Sequence, residues 1–388
     1  MKPIRVAFVI TELDPGGAER ALWQITQRLD PQAFELQVIC LGPEAELCEA
    51  FRAVGIPVRC LGLGSLLSVP FVLGKLITAL RAFRPQVVQT WLFHANVLGR
   101  VASLFLPGVP VVSGIRVAEK RSNGYLLLER WTQFLATRHV CVSQAVKEHS
   151  LGQGGLKAEK CLVIPNGVEQ PALLDEQAIA SQLPDPLKQL PAEAPIGLMV
   201  GRLDPQKGID RLIQVAARMK EDHPELKWGI CGEGPQKLEL QELARSMGVE
   251  DQILWLGYQE ALTAVYQRAT FLLFPSRWEG MPNVVLEAMA HGLPVISTPV
   301  EGIGELLIEA QQEASETQPR GVVVRGGDEQ QLIAELTKAA GELLASPEQQ
   351  KSFAESSQSI VAKCFTWQKV ADSYAQLYQM LVNNPLKK

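Results

Sequence analysis

The sequence predicts two doubly wound α/β domains in tandem, each built on a parallel sheet and facing each other across an interdomain cleft. Three observations carry that expectation. The chain has 388 residues, more than the roughly 250 to 300 that one hydrophobic core usually serves. Short apolar runs alternate with helix-length amphipathic stretches from end to end, the βα rhythm of a sheet covered on both faces. Between residues 169 and 194 the composition turns to proline and glutamine, around Pro184, Pro186, Pro191 and Pro195, as a linker would.

Taken in order, strands are expected at 4–11, 36–41, 58–61, 87–90, 111–114, 139–142 and 161–168, and helices at 18–29, 44–54, 70–83, 96–105, 125–136 and 144–149. The second series has strands at 196–202, 227–231, 253–257, 271–274, 294–298 and 321–324, with a polar insertion at 311–318. Helices at 329–345 and 347–382 close the chain. The expected boundaries are 1–180 for the first domain, 181–195 for the linker and 196–366 for the second.

Composition narrows the class. Hydrophobic residues at 47% and charged residues at 20% describe a globular protein. Met1, Lys2 and Pro3 lead at once into the first strand, with neither a long apolar run nor a cleavage site, so a cytoplasmic protein is expected. The 7 cysteines show no C-x-x-C pair and no histidines at metal-ligand spacing. The longest uncharged runs, 60–74 and 101–115, fall short of the roughly 18 residues of a membrane span.

The net charge of −5 conceals an asymmetry: residues 1–160 carry 18 Lys/Arg against 12 Asp/Glu, and the remainder is strongly acidic. No acid occurs between Glu49 and Glu119, where Arg52, Arg59, Lys75, Arg81, Arg84 and Arg100 all fall. A basic, apolar surface suits a negatively charged partner. An anionic bilayer at the inner face of the cytoplasmic membrane is one, and chance clustering of solvated faces is the plain alternative.

Chemistry gathers at strand ends. The loop after the strand 271–274 carries Glu279, and Pro282 then opens a helix that holds Glu287 and stops at His291-Gly292. Eight residues of helix would separate the two carboxylates by about 12 Å. Acid and nucleophile of a retaining glycosidase stand about 5 to 5.5 Å apart, so this is no such pair. Two contacts to separated parts of a long ligand fit better, with the free N–H groups in the stretch Met281-Pro282-Asn283 meeting an anion between them. A nucleotide sugar has that layout; an ordinary amphipathic helix with solvated glutamates is the other reading.

Arg202 and Lys207 flank the turn after the strand 196–202, where an arginine fork and a lysine point charge answer a diphosphate. If the diphosphate leaves, the same cations stabilise its growing charge; otherwise they are two solvated residues of a surface turn. Gly16 and Gly17 lie between the first strand and first helix, where backbone can approach a phosphate or simply turn tightly. Neither G-x-G-x-x-G at that turn nor a G-x-x-x-x-G-K-[S/T] loop anywhere is found, which weakens nicotinamide binding and P-loop hydrolysis. Gly232, Gly257 and Tyr258 place open backbone where a base or ribose could be read. His94 follows the strand 87–90 and is either a hydrogen-bonding partner near a reacting centre or a satisfied core histidine. With no Asp-x-Asp in the chain, no metal ligands are expected, and cations and helix dipoles would take that part.

Together these segments resemble the retaining glycosyltransferases of glycosyltransferase family 4, which have the GT-B fold of two Rossmann-like domains. The resemblance rests on Gly16-Gly17-Ala18-Glu19-Arg20, Pro165-Asn166-Gly167-Val168, Gly201-Arg202 with Lys207-Gly208, and the E-x7-E run from Glu279 to Glu287. It implies that Arg202 and Lys207 bind the donor diphosphate, Glu279 the sugar hydroxyls and Glu287 the ribose. The amides of Gly16, Gly17, Gly280, Met281 and Asn283 would serve phosphates and sugar, and the last helix, within 367–388, would pack on the first domain. The implied reaction uses no cofactor beyond a nucleotide-diphosphate sugar, a UDP-sugar first among these, and a glycan or lipid-linked glycan as acceptor. A sugar-nucleotide epimerase or a non-catalytic donor-binding subunit would use similar residues.

Overall fold

The computed structural model describes residues 2–117, 123–308 and 319–383. The insertion expected at 311–318 lies outside the described residues. Contacts divide the chain into two units, Met1–Gly167 with Trp367–Lys388, and Val168–Thr366.

The first unit is a seven-stranded parallel sheet. Its strands are β1 (Ile4–Ile10), β2 (Phe34–Cys40), β3 (Val58–Cys60), β4 (Val87–Trp91), β5 (Val111–Ile115), β6 (Arg138–Cys141) and β7 (Cys161–Val163), in the order β3-β2-β1-β4-β5-β6-β7. Between them run α1 (Gly17–Arg28), α2 (Leu47–Ala53), α3 (Val69–Phe83), α4 (Phe93–Ser103), α5 (Asn123–Thr132) and α6 (Gln144–Gly152). Alternation along β1 sorts the two faces. Val6, Phe8 and Ile10 join a core with α1, α2 and the helix Trp367–Asn383, whereas Ala7 and Val9 join one with α3 and α4.

The helix Trp367–Asn383 is held by aromatic contacts. Tyr378 packs edge-on against Phe8 and Phe34, each at 6.2 Å, and Tyr374 lies 5.8 Å from Trp91. The Tyr378 hydroxyl donates to Gln89 Oε1 at 3.1 Å, so the buried amide of β4 is satisfied from that helix.

Two helix ends depart from their expected positions for backbone reasons. α4 begins at Phe93 rather than 96, because Leu92 takes φ 74° and turns the chain directly from β4 into the helix. His94 therefore sits in the first turn of α4. The helix expected over 347–382 breaks into Pro347–Cys364 and Trp367–Asn383, with Thr366 bridging to Val168 between them.

The second unit has strands β8 (Ile196–Val200), β9 (Lys227–Cys231), β10 (Ile253–Gly257), β11 (Phe271–Phe274), β12 (Val295–Ser297) and β13 (Gly321–Val323), ordered β10-β9-β8-β11-β12-β13. The strand order reverses between β8 and β11, the kind of place where doubly wound sheets bind ligands. Helices Ile209–Met219 and Glu329–Leu344 share one of its cores through Leu212, Ala216, Ile333 and Leu336. The proline-rich stretch also belongs to this unit, with short helices at Glu176–Gln182 and Asp185–Lys188. Pro184 precedes the second of them, and Pro186 lies in its first turn, where a missing N–H costs nothing. Among the described residues no helix is long and apolar enough to cross a membrane.

Candidate functional site

The second unit builds its candidate site from two loops. After β8, Gly201 leads to Arg202 and a 3-10 turn, Pro205–Lys207, closed by Gly208 at φ 66°. After β11 come Pro275 to Trp278, Glu279 and the helix Asn283–Ala290. A Cβ at Gly208 would stand 2.2 Å from the Pro275 carbonyl oxygen, so only glycine lets the loops meet.

At that meeting Lys207 Nζ donates to Glu279 Oε1 at 2.7 Å. Both side chains are largely withdrawn from water, at 20% and 9% exposure. The Glu279 amide donates to Glu301 Oε2 at 3.1 Å, a contact that sequence reasoning did not identify. Arg202 differs: its guanidinium is 67% exposed, and Nε donates to Asp204 Oδ2 at 2.6 Å. Asp204 thus fixes the arginine while leaving most of its fork in solvent. Its own Oδ1 is buried with no hydrogen-bond partner among the described residues.

Four charged side chains clamp the loops from behind. Arg277 forms a bidentate pair with Asp210 at 2.8 and 2.7 Å and donates to the Pro205 carbonyl at 2.9 Å. Arg211 forks onto Glu329 at 2.7 and 2.6 Å and reaches the Pro275 carbonyl at 3.0 Å. Backbone bonds complete the bridge, from Arg277 N to Gln206 O at 2.8 Å, with Gln206 Nε2 donating to Trp278 O at 2.9 Å. The guanidinium beside Asp210 holds its carboxyl below the usual range against the opposing effect of burial, and Arg211 does the same for Glu329.

Glu287 lies in the second turn of the helix Asn283–Ala290, and Pro282 caps that helix rather than opening it. Its Oε2 accepts the Tyr266 hydroxyl at 2.8 Å. Burial first, and then the Glu287 charge, push that phenol well above its ordinary value. Tyr266 also stacks on His291 at 4.9 Å, and His291 Nδ1 bonds the Glu287 carbonyl at 2.8 Å. Gly280, Met281 and Pro282 are buried at the helix entrance, while Asn283 is half-buried.

Gly201, Gly232 and Gly257 end three neighbouring strands. Gly201 N donates to Cys231 O at 2.9 Å, and Gly232 N to Gly257 O at 2.8 Å. A Cβ at Gly232 would lie 1.9 Å from the Gly201 carbonyl oxygen, so this ledge is bare backbone by necessity. Tyr258, 62% exposed, stands at its end.

In the first unit, Gly16 caps α1 and Gly17 is its first residue. A Cβ at Gly16 would be 2.3 Å from Glu19 Oε2, and Glu19 is buried beneath the turn. Burial, reinforced by Glu12 and Asp14 against Arg116, raises the Glu19 carboxyl to about 7. His94 is exposed and lines a cavity of about 330 Å³ together with Thr11, Glu12, Asp14, Glu44 and Ser65. It is therefore not a core histidine. Arg116 stacks over Trp91, 4.6 Å from the ring centre, and bonds the Asn166 side chain, tying the end of β5 to the segment after β7. Among the described residues one cluster has metal-ligand geometry, Glu44 with Cys48 and Cys60, and its carboxylate is paired with Arg52 at 2.5 Å.

Two family models match the chain, one described as Glycosyltransferase Family 4 over residues 15–170 and one as Glycosyl transferases group 1 over 186–359. The Escherichia coli UDP-Gal:alpha-D-GlcNAc-diphosphoundecaprenol alpha-1,3-galactosyltransferase is 28% identical over 318 residues, 77% of this chain and 80% of that protein. HepE of Anabaena, solved in complex with UDP, is similar in fold at a TM-score of 0.80 and 20% identity, over 97% of this chain and 100% of that one. Its complex with UDP-glucose gives a TM-score of 0.78 at the same identity and coverage.

Arg277→Ala removes a partly exposed pair, so stability in urea unfolding should fall by only about 1 kcal/mol. Amide exchange in 202–208 should nevertheless quicken at least about tenfold, because the clamp is lost; unchanged protection would mean that other contacts hold the loops. Glu19 gives a pH signature. The folded chain keeps its proton to about 7, against the ordinary 4.5, so this group's contribution is full below about pH 4.5 and is lost as pH rises through about 7. Relative to wild type, Glu19→Gln should gain up to about 3 kcal/mol in urea unfolding on going from pH 5 to pH 8. Parallel profiles would refute the buried neutral carboxyl.

Proposed function

Because the chain belongs to glycosyltransferase family 4, whose members retain the anomeric configuration, we propose that it moves a hexose from a UDP-sugar to a lipid-linked glycan. The observation that carries the proposal is the Lys207–Glu279 pair, set beside the exposed fork of Arg202. A sugar diphosphate needs both signs, cations for the phosphates and a carboxylate for sugar hydroxyls.

In this reading Arg202 and Lys207 take the diphosphate, and Glu279 accepts hydrogen bonds from the sugar. Glu287 receives the ribose, the Gly232 and Gly257 ledge with Tyr258 the base, and the entrance of the helix Asn283–Ala290 the phosphates. His94 and the Gly16-Gly17 turn are assigned to hydroxyl and phosphate contacts. The bond from the anomeric carbon to the diphosphate oxygen breaks with its electron pair going to the diphosphate. The acceptor hydroxyl adds on the same face and gives its proton to the departing phosphate oxygen, without a protein nucleophile. Charge grows on the leaving group as the bond opens, and Arg202 with Lys207 stabilises it there.

The UDP and UDP-glucose complexes of HepE support a uridine donor. The acceptor named for the E. coli relative, a diphosphoundecaprenol-linked sugar, supports a lipid-linked acceptor. Screening nucleotide sugars by thermal shift tests the donor, since a ligand of the folded state raises the melting temperature.

Lys207→Ala should lower transfer at saturating donor at least about tenfold, or about 1.4 kcal/mol of transition-state stabilisation. Unchanged turnover would remove Lys207 from the mechanism. Glu279→Ala should lose both turnover and discrimination among donor sugars. A variant that transfers and selects normally would contradict the assignment.

A further inference from the structure

Three of the chain's 7 cysteines converge on one face of the first sheet. Cys40 ends β2 and Cys60 ends β3, and the parallel register sets them opposite each other, so their side chains emerge on the same side. α2 covers that side, and its Cys48 lies in the same core. Cys48 Sγ and Cys60 Sγ stand 3.6 Å apart. The loop from β2 into α2 carries Glu44, and a carboxylate oxygen of Glu44 and the two sulfurs all lie within 4.8 Å of one another. Sequence spacing conceals this group, because a loop, a helix and a strand end each supply one member.

Two sulfurs bound to one tetrahedral zinc ion at about 2.3 Å stand about 3.8 Å apart, so Cys48 and Cys60 are already spaced as one edge of such a site. Neighbouring groups suit an ion as well. The Ala45 amide donates to Cys48 Sγ at 3.4 Å, a bond that favours the thiolate over the thiol. Arg52 holds the Glu44 carboxylate at 2.5 and 3.1 Å, and a carboxylate has lone pairs enough to keep that guanidinium while binding a metal. Two thiolates and one carboxylate are negative in sum by three charges, which a dication and Arg52 neutralise. Cys40 is engaged elsewhere. Its thiol lies 3.9 Å from the carbonyl oxygens of both Thr11 and Pro43, so it borders the group without completing it.

We propose that Cys48, Cys60 and Glu44 bind one thiophilic divalent cation of the zinc class, with water in the fourth position. The two S–H protons pass to solvent, and each sulfur keeps its electron pair for the metal bond. The ion fastens α2 and the loop before it to β3, the edge strand, which has only β2 beside it. Glu44 also lines the cavity that holds His94, so the ion fixes part of that cavity's wall. The inference is independent of the proposed transfer.

Cobalt(II) titration of the full chain, reduced and stripped of metal by a chelator, tests it with no donor or acceptor present. Thiolate-to-cobalt charge transfer in the near ultraviolet should saturate at one ion per chain, vanish on adding equimolar zinc(II) and persist in excess magnesium(II). Zinc(II) should also raise the melting temperature. The double variant Cys48→Ser, Cys60→Ser should lose the band. Cys60→Ser alone, at a half-buried position, should lose about half of its intensity, which keeps the test decisive if the double variant does not fold. Glu44→Gln, at an exposed position, should weaken cobalt binding at least about tenfold. Cys364→Ser, in the second unit, should change none of this. A wild-type chain without the band overturns the proposal, as does unchanged affinity in Glu44→Gln. So does a band that survives in the double variant or disappears in Cys364→Ser, because the ion would then be held by other thiols.

Discussion

Lys207 and Glu279 meet at 2.7 Å although 72 residues of sequence separate them, and the contact depends on how the two loops that carry them are held. Taking two ions largely out of water costs several kcal/mol each, and their attraction repays it only when the geometry is held. Holding it is the work of the surrounding residues. Gly208 lets the backbones touch, Arg277 and Arg211 fasten both loops to carboxylates, and Gln206 crosses to Trp278. The pair itself is better described as a consequence of the clamp than as a source of stability.

The same accounting of charge resolves an apparent conflict. The second half of the chain is acidic, yet its candidate site presents an arginine and a lysine. Asp204, Asp210 and Glu329 are each engaged by an arginine, and Glu279 by Lys207. Net charge counts these acids, but locally each serves to aim a cation. The first unit follows another principle. Its Trp367–Asn383 helix packs by rings, with Tyr378 donating to Gln89, and the buried carboxyl under the Gly16 turn keeps its proton to about 7.

The sheets were legible because parallel strands buried on both faces read as apolar runs, and the strands of both sheets formed where such runs were expected. The glycines at strand ends were legible for a related reason, since Gly208 and Gly232 stand where any Cβ would strike backbone. The clamp left no local trace. Arg277 and Asp210 are 67 residues apart and Arg211 and Glu329 are 118 apart, and no periodicity joins residues through folded space. Leu92 leaves no such signal for the opposite reason: a bulky residue at positive φ contradicts the local preference, so the sequence predicts α4 from 96 whereas the helix begins at 93. The prolines of 181–195 suggested an open linker, but two of them serve a helix start within the second unit.

The two glutamates that the sequence presented as a matched pair are held by different chemistry. Glu279 leans on an ammonium group, and a ligand that brings its own negative charge competes for that partner directly. Glu287 accepts from the Tyr266 hydroxyl, a phenol that burial and then the Glu287 charge push well above its ordinary value. Tyr266 is in turn packed against His291, and His291 bonds the backbone of Glu287 itself.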